Sequence, residues 1–179
     1  KKWFENCINT MNKYNALLGT IGIVYKEGNK YELFSKCGWD SKTNNNENAE
    51  YVDIVGHSWF FKKEWITTLI KDLPNIDEKM LVCGEDMHLS YVMQKYLNIP
   101  TMVPPHPIND QELWGGNQKK SHIYGNIDST WAKFSSSGCF QDALKHYIDN
   151  GYETILNKAS SIKVWDRCCD YFINKIINK

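Results

Sequence analysis

The nine residues Cys83–Tyr91 read Cys-Gly-Glu-Asp-Met-His-Leu-Ser-Tyr, and the rest of the chain is best understood from this stretch. A glycine precedes two adjacent carboxylates, and the pattern that follows predicts a helix over Glu85–Tyr96. Carboxylates are favourable at a helix N-terminus for electrostatic reasons alone, so Glu85 and Asp86 are consistent with an ordinary helix start. Their sequence context decides whether they have a further role.

The composition indicates a globular chain that is rich in aromatic residues. The 179 residues include seven Trp and ten Tyr, and Lys plus Arg balance Asp plus Glu at 21 each. A balanced chain has no overall field that attracts nucleic acid or an anionic membrane, so neither is expected as a partner.

Since no apolar run reaches the ~20 residues of a membrane span and no signal peptide is visible, we expect a cytoplasmic protein. The length favours a single domain over residues 1–179.

The six cysteines are scattered, without a Cys-x-x-Cys pair or a zinc-type spacing. We interpret them mainly as small buried thiols in a reducing compartment. The spacing does not exclude a disulfide, but no pattern argues for one. They are Cys7, Cys37, Cys83, Cys139, Cys168 and Cys169.

Helices and strands are predicted to alternate, which indicates the α/β class. The helical spacing of apolar residues predicts helices over Lys2–Leu18, Lys63–Leu73, Cys139–Asn150 and Ser160–Lys179. Strands are predicted over Thr20–Tyr25, Tyr31–Ser35, Tyr51–Val55 and Pro100–Val103, with His57–Phe61 leading into a turn. The polar stretches Asp40–Glu50 and His106–Ser129 are predicted loops.

Three motifs follow one another in a recognisable order: Asp53–Trp65, Gly84–Ser90, and Asn98–Thr101 leading to Val103–Pro107. Together they resemble the second half of a family 2-like glycosyltransferase with the GT-A fold. This group is similar to bacterial and large-virus sugar transferases that use nucleotide-sugar donors. The resemblance covers about residues 1–107 well, is weaker over residues 115–128, and is unspecific in the last forty residues or so.

The resemblance implies a partial GT-A-type (Rossmann-like) mixed sheet flanked by helices over about residues 1–130, with a helical extension over about residues 131–179. The GT-A fold begins with a nucleotide-binding half ending in an Asp-x-Asp type motif, which holds Mn²⁺ or Mg²⁺ against the donor diphosphate. This sequence contains neither that motif nor a glycine-rich phosphate loop. We therefore expect the chain to start just downstream of the motif. Nucleotide recognition and most metal ligands would then lie outside it, and this part alone can be inactive.

The implied reaction moves a sugar from a nucleotide-sugar donor to a hydroxyl of a glycan or another acceptor, with inversion. By resemblance, Asp86 is the base that deprotonates the acceptor, and Glu85 is a neighbour that binds a sugar hydroxyl. Backbone donors at a helix start favour an ionised Asp86, whereas the second carboxylate raises its tendency to take up a proton. A base must also lie within hydrogen-bond reach of the hydroxyl.

The resemblance makes His106 a ligand of the metal or of the diphosphate. Prolines on both sides restrict the backbone and can fix the direction of the imidazole, which is an acceptable Mn²⁺ ligand beside carboxylates. His122, in the same long loop, competes for this role. An ordinary surface histidine on a turn remains the alternative.

Two further groups of residues are candidates for binding substrate. In Gly56–Trp59, the glycine permits close approach of a sugar, Trp59 can stack on a pyranose face, and His57 or Ser58 can bond hydroxyls. The alternative is that this stretch continues the core. Trp114 and Lys119 belong to a loop that can fold over the donor, where the lysine would meet phosphate. The alternative is that this stretch is an ordinary solvated loop that binds no substrate.

Two other functions fit parts of the sequence. A non-catalytic carbohydrate-binding module would explain the many Trp and Tyr residues and the missing metal motif. A nucleotidyltransferase would share the α/β architecture and the use of a metal. The order of the three motifs favours sugar transfer over both.

Overall fold

The structure is a computed structural model that describes residues 2–26, 30–38, 46–116 and 129–161. Within these ranges the chain is a mixed α/β structure, in which a mixed five-stranded sheet is flanked by helices. This confirms the predicted α/β class. The candidates Lys119 and His122 and the predicted helix beyond residue 161 lie outside the described residues.

The helices and strands occur in the following order. They are α1 (Lys2–Tyr14), β1 (Leu17–Tyr25), β2 (Leu33–Gly38), β3 (Glu50–Tyr51), β4 (Ile54–Phe60), α2 (Ile66–Asp72), α3 (Glu78–Leu97), β5 (Thr101–Val103), α4 (Thr130–Phe134), α5 (Cys139–Asp149) and α6 (Ile155–Ser161). Short 3₁₀ turns cover Lys63–Trp65, Leu73–Asn75 and Gln111–Leu113.

Strand β1 is the centre of the sheet. It pairs antiparallel with β2 and with β4 and parallel with β5, and β3 joins the far side of β5 antiparallel. Seven of its nine residues are buried, as expected for a nearly continuous apolar strand that is covered on both faces. The prediction of a strand buried on both faces is therefore confirmed.

Helix α1 is shorter than the predicted Lys2–Leu18. It ends at Tyr14, because Asn15 adopts a left-handed conformation (φ 48°) that an asparagine tolerates better than most residues. Leu17 and Leu18 then enter β1, where both are fully buried.

Helix α3 spans Glu78–Leu97, but Gly84 divides it into two helical segments, and the second begins at Glu85 as predicted. The helix is kinked at Gly84, whose backbone angles (φ −128°, ψ 18°) are not helical. A Cβ atom on Gly84 would lie 2.9 Å from Cβ of Ala143 on α5, so a glycine is needed for the two helices to approach. The acidic pair thus lies directly after a kink inside a longer helix.

A disulfide joins Cys83, just before this kink, to Cys139, the first residue of α5. The expectation of unpaired thiols is therefore wrong for these two residues, whereas Cys7 and Cys37 are buried as predicted. The cysteines are 56 positions apart in sequence, and only the packing of α5 on α3 brings them together.

Asp53 anchors the segment before α6 to the sheet. Its side chain accepts hydrogen bonds from the backbone N–H of Tyr25 (2.7 Å) and of Ile155 (2.6 Å), and the Tyr152 hydroxyl donates to its backbone oxygen. Asp53 is almost completely buried, and burial raises its pKa to about 6 against the opposing effect of the two backbone donors. The carboxylate thus connects parts of the chain that are distant in sequence.

None of the helices in the described ranges is both long enough and apolar enough to cross a membrane.

Candidate active site

The structure brings three of the predicted site residues together. The indole N–H of Trp59 donates to Oδ1 of Asp86 over 2.7 Å. Oδ2 of the same carboxylate would lie 2.8 Å from a Cβ atom on Gly56, so the carboxylate occupies the space above this glycine. One carboxylate of the acidic pair is therefore held directly against strand β4.

A β-bulge explains why Gly56 and Trp59 face the same carboxylate. Residues three apart in a regular strand point to opposite faces of the sheet. Here Gly19 pairs with Trp59 and Ile21 with Gly56, so β4 has one residue more than β1 between these pairs. His57 in this bulge has a left-handed backbone (φ 72°). The predicted strand end at Gly56 is thus wrong, since β4 continues to Phe60 before the chain leaves the sheet.

The surroundings of Asp86 hold its pKa far above the ordinary value. Burial is the main cause and the neighbouring Glu85 the second, while the hydrogen bond from Trp59 acts in the opposite direction; the pKa of Asp86 is raised to about 7. Burial also raises the pKa of Glu85. A carboxylate whose pKa lies near neutrality can accept a proton from a substrate and release it again at physiological pH.

Tyr31, which sequence reasoning missed as a site residue, also lies near the acidic pair. Burial, followed by the charges of Asp86 and then Glu85, raises its pKa to about 12. Its ring stacks on Phe140 of α5 at a centroid distance of 5.3 Å, and its backbone N–H donates to Oε1 of Gln141 over 2.6 Å. The sequence shows only an aromatic residue after a turn, which by itself does not indicate proximity to Asp86.

A second tyrosine, Tyr25 of β1, packs against Tyr31 at a centroid distance of 5.5 Å. It is completely buried, and its hydroxyl has no hydrogen-bond partner in the described part of the chain. Burial raises the pKa of Tyr25 well above its ordinary value, and the charge of Asp86 contributes. The hydroxyl therefore stays neutral and forms part of the low-dielectric surroundings of the acidic pair.

His57 and Ser58 contact Thr20 and each other. His57 Nδ1 lies 3.0 Å from the hydroxyl of Thr20 on β1. The Ser58 hydroxyl lies 3.5 Å from the same nitrogen. Burial lowers the pKa of His57. The contacts of His57 and Ser58 are thus with β1 and with each other, whereas Trp59 contacts Asp86.

His106 is fully buried rather than a surface histidine. Its Nδ1 lies 2.7 Å from the backbone oxygen of Pro104, which can only accept, so Nδ1 carries the proton. Its backbone N–H donates to the oxygen of Asn46 over 2.7 Å, and its ring meets the edge of Trp3. Nε2 is buried without a partner among the described residues. Burial lowers the pKa of His106 to about 4, so the ring is neutral with a free lone pair.

This state of His106 is the one in which an imidazole binds a metal, with the second nitrogen fixed by a carbonyl group. His106 therefore fits the predicted role as one ligand. In the described part of the chain, no group of three or more His, Cys, Asp or Glu side chains is arranged to hold a metal ion. A complete coordination sphere would therefore need further ligands.

The Trp114 side chain is buried and hydrogen-bonded. It is only 8% exposed, and its indole N–H donates to the backbone oxygen of Pro107 over 2.9 Å. The side-chain amide of Asn6 on α1 fastens the same loop by donating to the backbone oxygens of Pro105 and Leu113. These contacts do not support the prediction that Trp114 belongs to a movable lid.

Comparison with protein-family models, with curated protein sequences and with solved structures gives no match in any of the three cases.

Proposed function

We propose that this chain supplies the acceptor side of a sugar-transfer site, in which Asp86 is the catalytic base. The observation that carries the proposal is the position of Asp86, a partly buried carboxylate with a pKa near 7 that is held by Trp59 above Gly56. The mixed sheet flanked by helices is compatible with part of a GT-A fold, and the order of the three sequence motifs favours that assignment over other α/β folds.

The reaction would be an inverting transfer from a nucleotide-sugar donor to a glycan or other acceptor hydroxyl. Asp86 accepts the hydroxyl proton as the acceptor oxygen bonds to the anomeric carbon, and the bond to the nucleoside diphosphate breaks. Trp59 fixes the carboxylate with its N–H, and its ring, 40% exposed, provides a surface for a sugar face. Glu85 is exposed beside it and can accept a hydrogen bond from a sugar hydroxyl.

A divalent cation, Mn²⁺ or Mg²⁺, would neutralise the charge of the departing diphosphate when bound. His106 is the described residue best suited to hold it through Nε2. The other metal ligands and the groups that recognise the nucleotide would come from outside the residues that the structure describes.

The proposal is tested by replacing Asp86 with Asn in the complete protein. Transfer to acceptor is measured over a panel of nucleotide-sugars with Mn²⁺, and Asp149→Asn on the exposed side of α5 is the matched control. We expect a loss of about 100-fold or more for Asp86→Asn, in the usual range for a general base, and an unchanged rate for the control. Full transfer activity of a well-folded Asp86→Asn protein would show that the base assignment is wrong.

The exposed Trp59 ring also favours one other function, a carbohydrate-binding module without catalysis. Glycan binding that needs neither nucleotide nor metal, with no turnover of any nucleotide-sugar, would select it. Release of pyrophosphate from a nucleoside triphosphate would select a nucleotidyltransferase instead.

The cytoplasmic location is likewise a prediction. The Cys83–Cys139 disulfide argues against it, because persistent disulfides are typical of oxidising compartments.

A further inference from the structure

The Cys83–Cys139 disulfide lies next to the acidic pair. Cys83 precedes the kink at Gly84 and the pair that follows it, and it is buried (3% exposed). Cys139 is the first residue of α5 and is partly exposed, so a thiol reagent in solution can reach this end of the bond. The bond therefore ties the start of α5 to the segment that carries Asp86.

The first turn of α5 is less buried than the later turns of this helix. Its N-cap residue, Gly138, is left-handed (φ 78°) and has no side chain to cap the helix. The fully buried residues of α5, Ala143, Leu144 and Tyr147, all belong to later turns. We therefore expect the later turns to stay packed when the disulfide is opened, while the first turn gains freedom.

The same first turn holds Tyr31. Phe140 stacks on the tyrosine ring, and Gln141 accepts the hydrogen bond from its backbone N–H. Both residues follow Cys139 directly in sequence. Tyr31 in turn lies close enough to the acidic pair for the charges of Asp86 and Glu85 to affect its pKa. The contacts of the first turn of α5 with Tyr31 thus link the disulfide to the surroundings of Asp86.

We propose that the Cys83–Cys139 disulfide is a positioning element of the site, which keeps Tyr31 beside Glu85 and Asp86 and makes the base sensitive to thiol redox state. The proposal rests on the assignment of Asp86 as base. A dithiol reductant opens the bond by thiol–disulfide exchange: the dithiol is oxidised to its own disulfide, and Cys83 and Cys139 each end as a thiol. Water then gains access to Asp86, and its carboxylate form is favoured.

The test is a titration of the Asp86 carboxyl by ¹³C NMR, with and without a dithiol reductant. The titratable groups that face Asp86 are Glu85 on α3, Tyr25 on β1 and Tyr31 after the β1 strand. Burial keeps both tyrosines neutral below pH 9, so only the carboxyls titrate, and Glu85→Gln separates them. We expect reduction to lower the pKa of Asp86 by about one unit or more, towards its ordinary value.

The Cys83→Ser/Cys139→Ser double variant should show the lowered pKa without reductant and should not respond to it. A Cys37→Ala variant keeps the disulfide and should respond like the parent. The proposal is overturned if thiol counting shows two new thiols while the pKa of Asp86 stays unchanged, or if no peptide linking Cys83 to Cys139 is found under non-reducing conditions. The titration needs no turnover, so its result is independent of whether Asp86→Asn abolishes transfer.

Discussion

Asp86 is held by one strong donor and lies against one glycine, and both contacts can be varied by a single substitution. Because only the ionised carboxylate can accept a proton, a base with a pKa of about 7 limits the rate in acid. We expect the transfer rate to rise about tenfold per pH unit below pH 7 and to level off above it. The measurement is kcat/KM against pH, and a profile that is flat between pH 5 and 8 would contradict the assignment.

Trp59 stabilises the charged form of Asp86 through its indole N–H. Trp59→Phe keeps an aromatic ring but removes this donor, so the pKa of Asp86 should rise further. We expect the acidic limb of the pH–rate profile to move up by about half a pH unit or more. Trp114→Phe, which removes an indole N–H bonded to Pro107 rather than to the site, is the control and should leave the limb in place.

Gly56 leaves room for the carboxylate, and an added Cβ would lie 2.8 Å from Oδ2 of Asp86. Gly56→Ala should therefore push the base out of position and reduce kcat by about tenfold to 100-fold, the usual cost of a small misplacement. Asp149→Asn, on the exposed side of α5, is the control and should change kcat little. The prediction fails if Gly56→Ala keeps the parent kcat while Asp86→Asn is inactive.

At the scale of elements, the bulge in β4 decides which residues face α3. His57 holds it with a left-handed backbone, which asparagine tolerates and a β-branched residue does not. We therefore expect His57→Val to lower the free energy of unfolding by about 1–2 kcal/mol more than His57→Asn does. Urea unfolding of the two variants measures the difference, and equal stabilities would show that the backbone conformation at this position is not strained for valine.

The sequence predicts the order of the helices and strands better than it predicts the contacts between them. β1 was predictable because Thr20–Tyr25 is nearly all apolar, and the acidic pair was recognisable from its motif context. The side-by-side position of Gly56 and Trp59 was not, because it depends on one extra residue in β4 that only the pairing with β1 reveals. Local patterns carry no information about such register shifts.

The helix boundaries around Gly84 were predictable only in part. Glu85 was placed at a helix start because a glycine followed by carboxylates is a common start signal. A helical segment does begin there, but no helix was predicted over residues 78–83, which precede the kink at Gly84. The kink depends on α5, since Ala143 lies too close for a side chain on this glycine. The disulfide and Tyr31 depend on the same distant helix, which explains why neither was predicted from its own surroundings in sequence.

For the molecule as a whole, Asp53 couples stability to pH. Its pKa in the folded protein (about 6) is above its ordinary value of 3.8, so the folded state binds the proton more tightly than the unfolded chain does. The contribution of Asp53 to stability is therefore largest below pH 4 and is lost as the pH rises through 6. We expect the resulting decrease in the free energy of unfolding to be about 1–3 kcal/mol.

Asp53→Asn separates this contribution from those of other groups. The amide can accept from only one of the two backbone N–H groups, so the variant should be less stable than the parent by about 1–3 kcal/mol at neutral pH. Its stability should also change less between pH 4 and 6.5. Urea unfolding across that range is the measurement, with Asp149→Asn as control, and an equally steep pH dependence in Asp53→Asn would contradict the argument.

The three-way pairing of β1 has a consequence for synthesis on the ribosome. β1 leaves the exit tunnel before its parallel partner β5, which is made only after β2, β4 and the whole of α3. Until then, Leu17 and Leu18 belong to an apolar strand with an unpaired edge, which is the kind of segment that aggregates or is bound by chaperones. A nascent chain that stops before Thr101 should therefore depend on chaperones, and one that extends past Val103 should depend on them less.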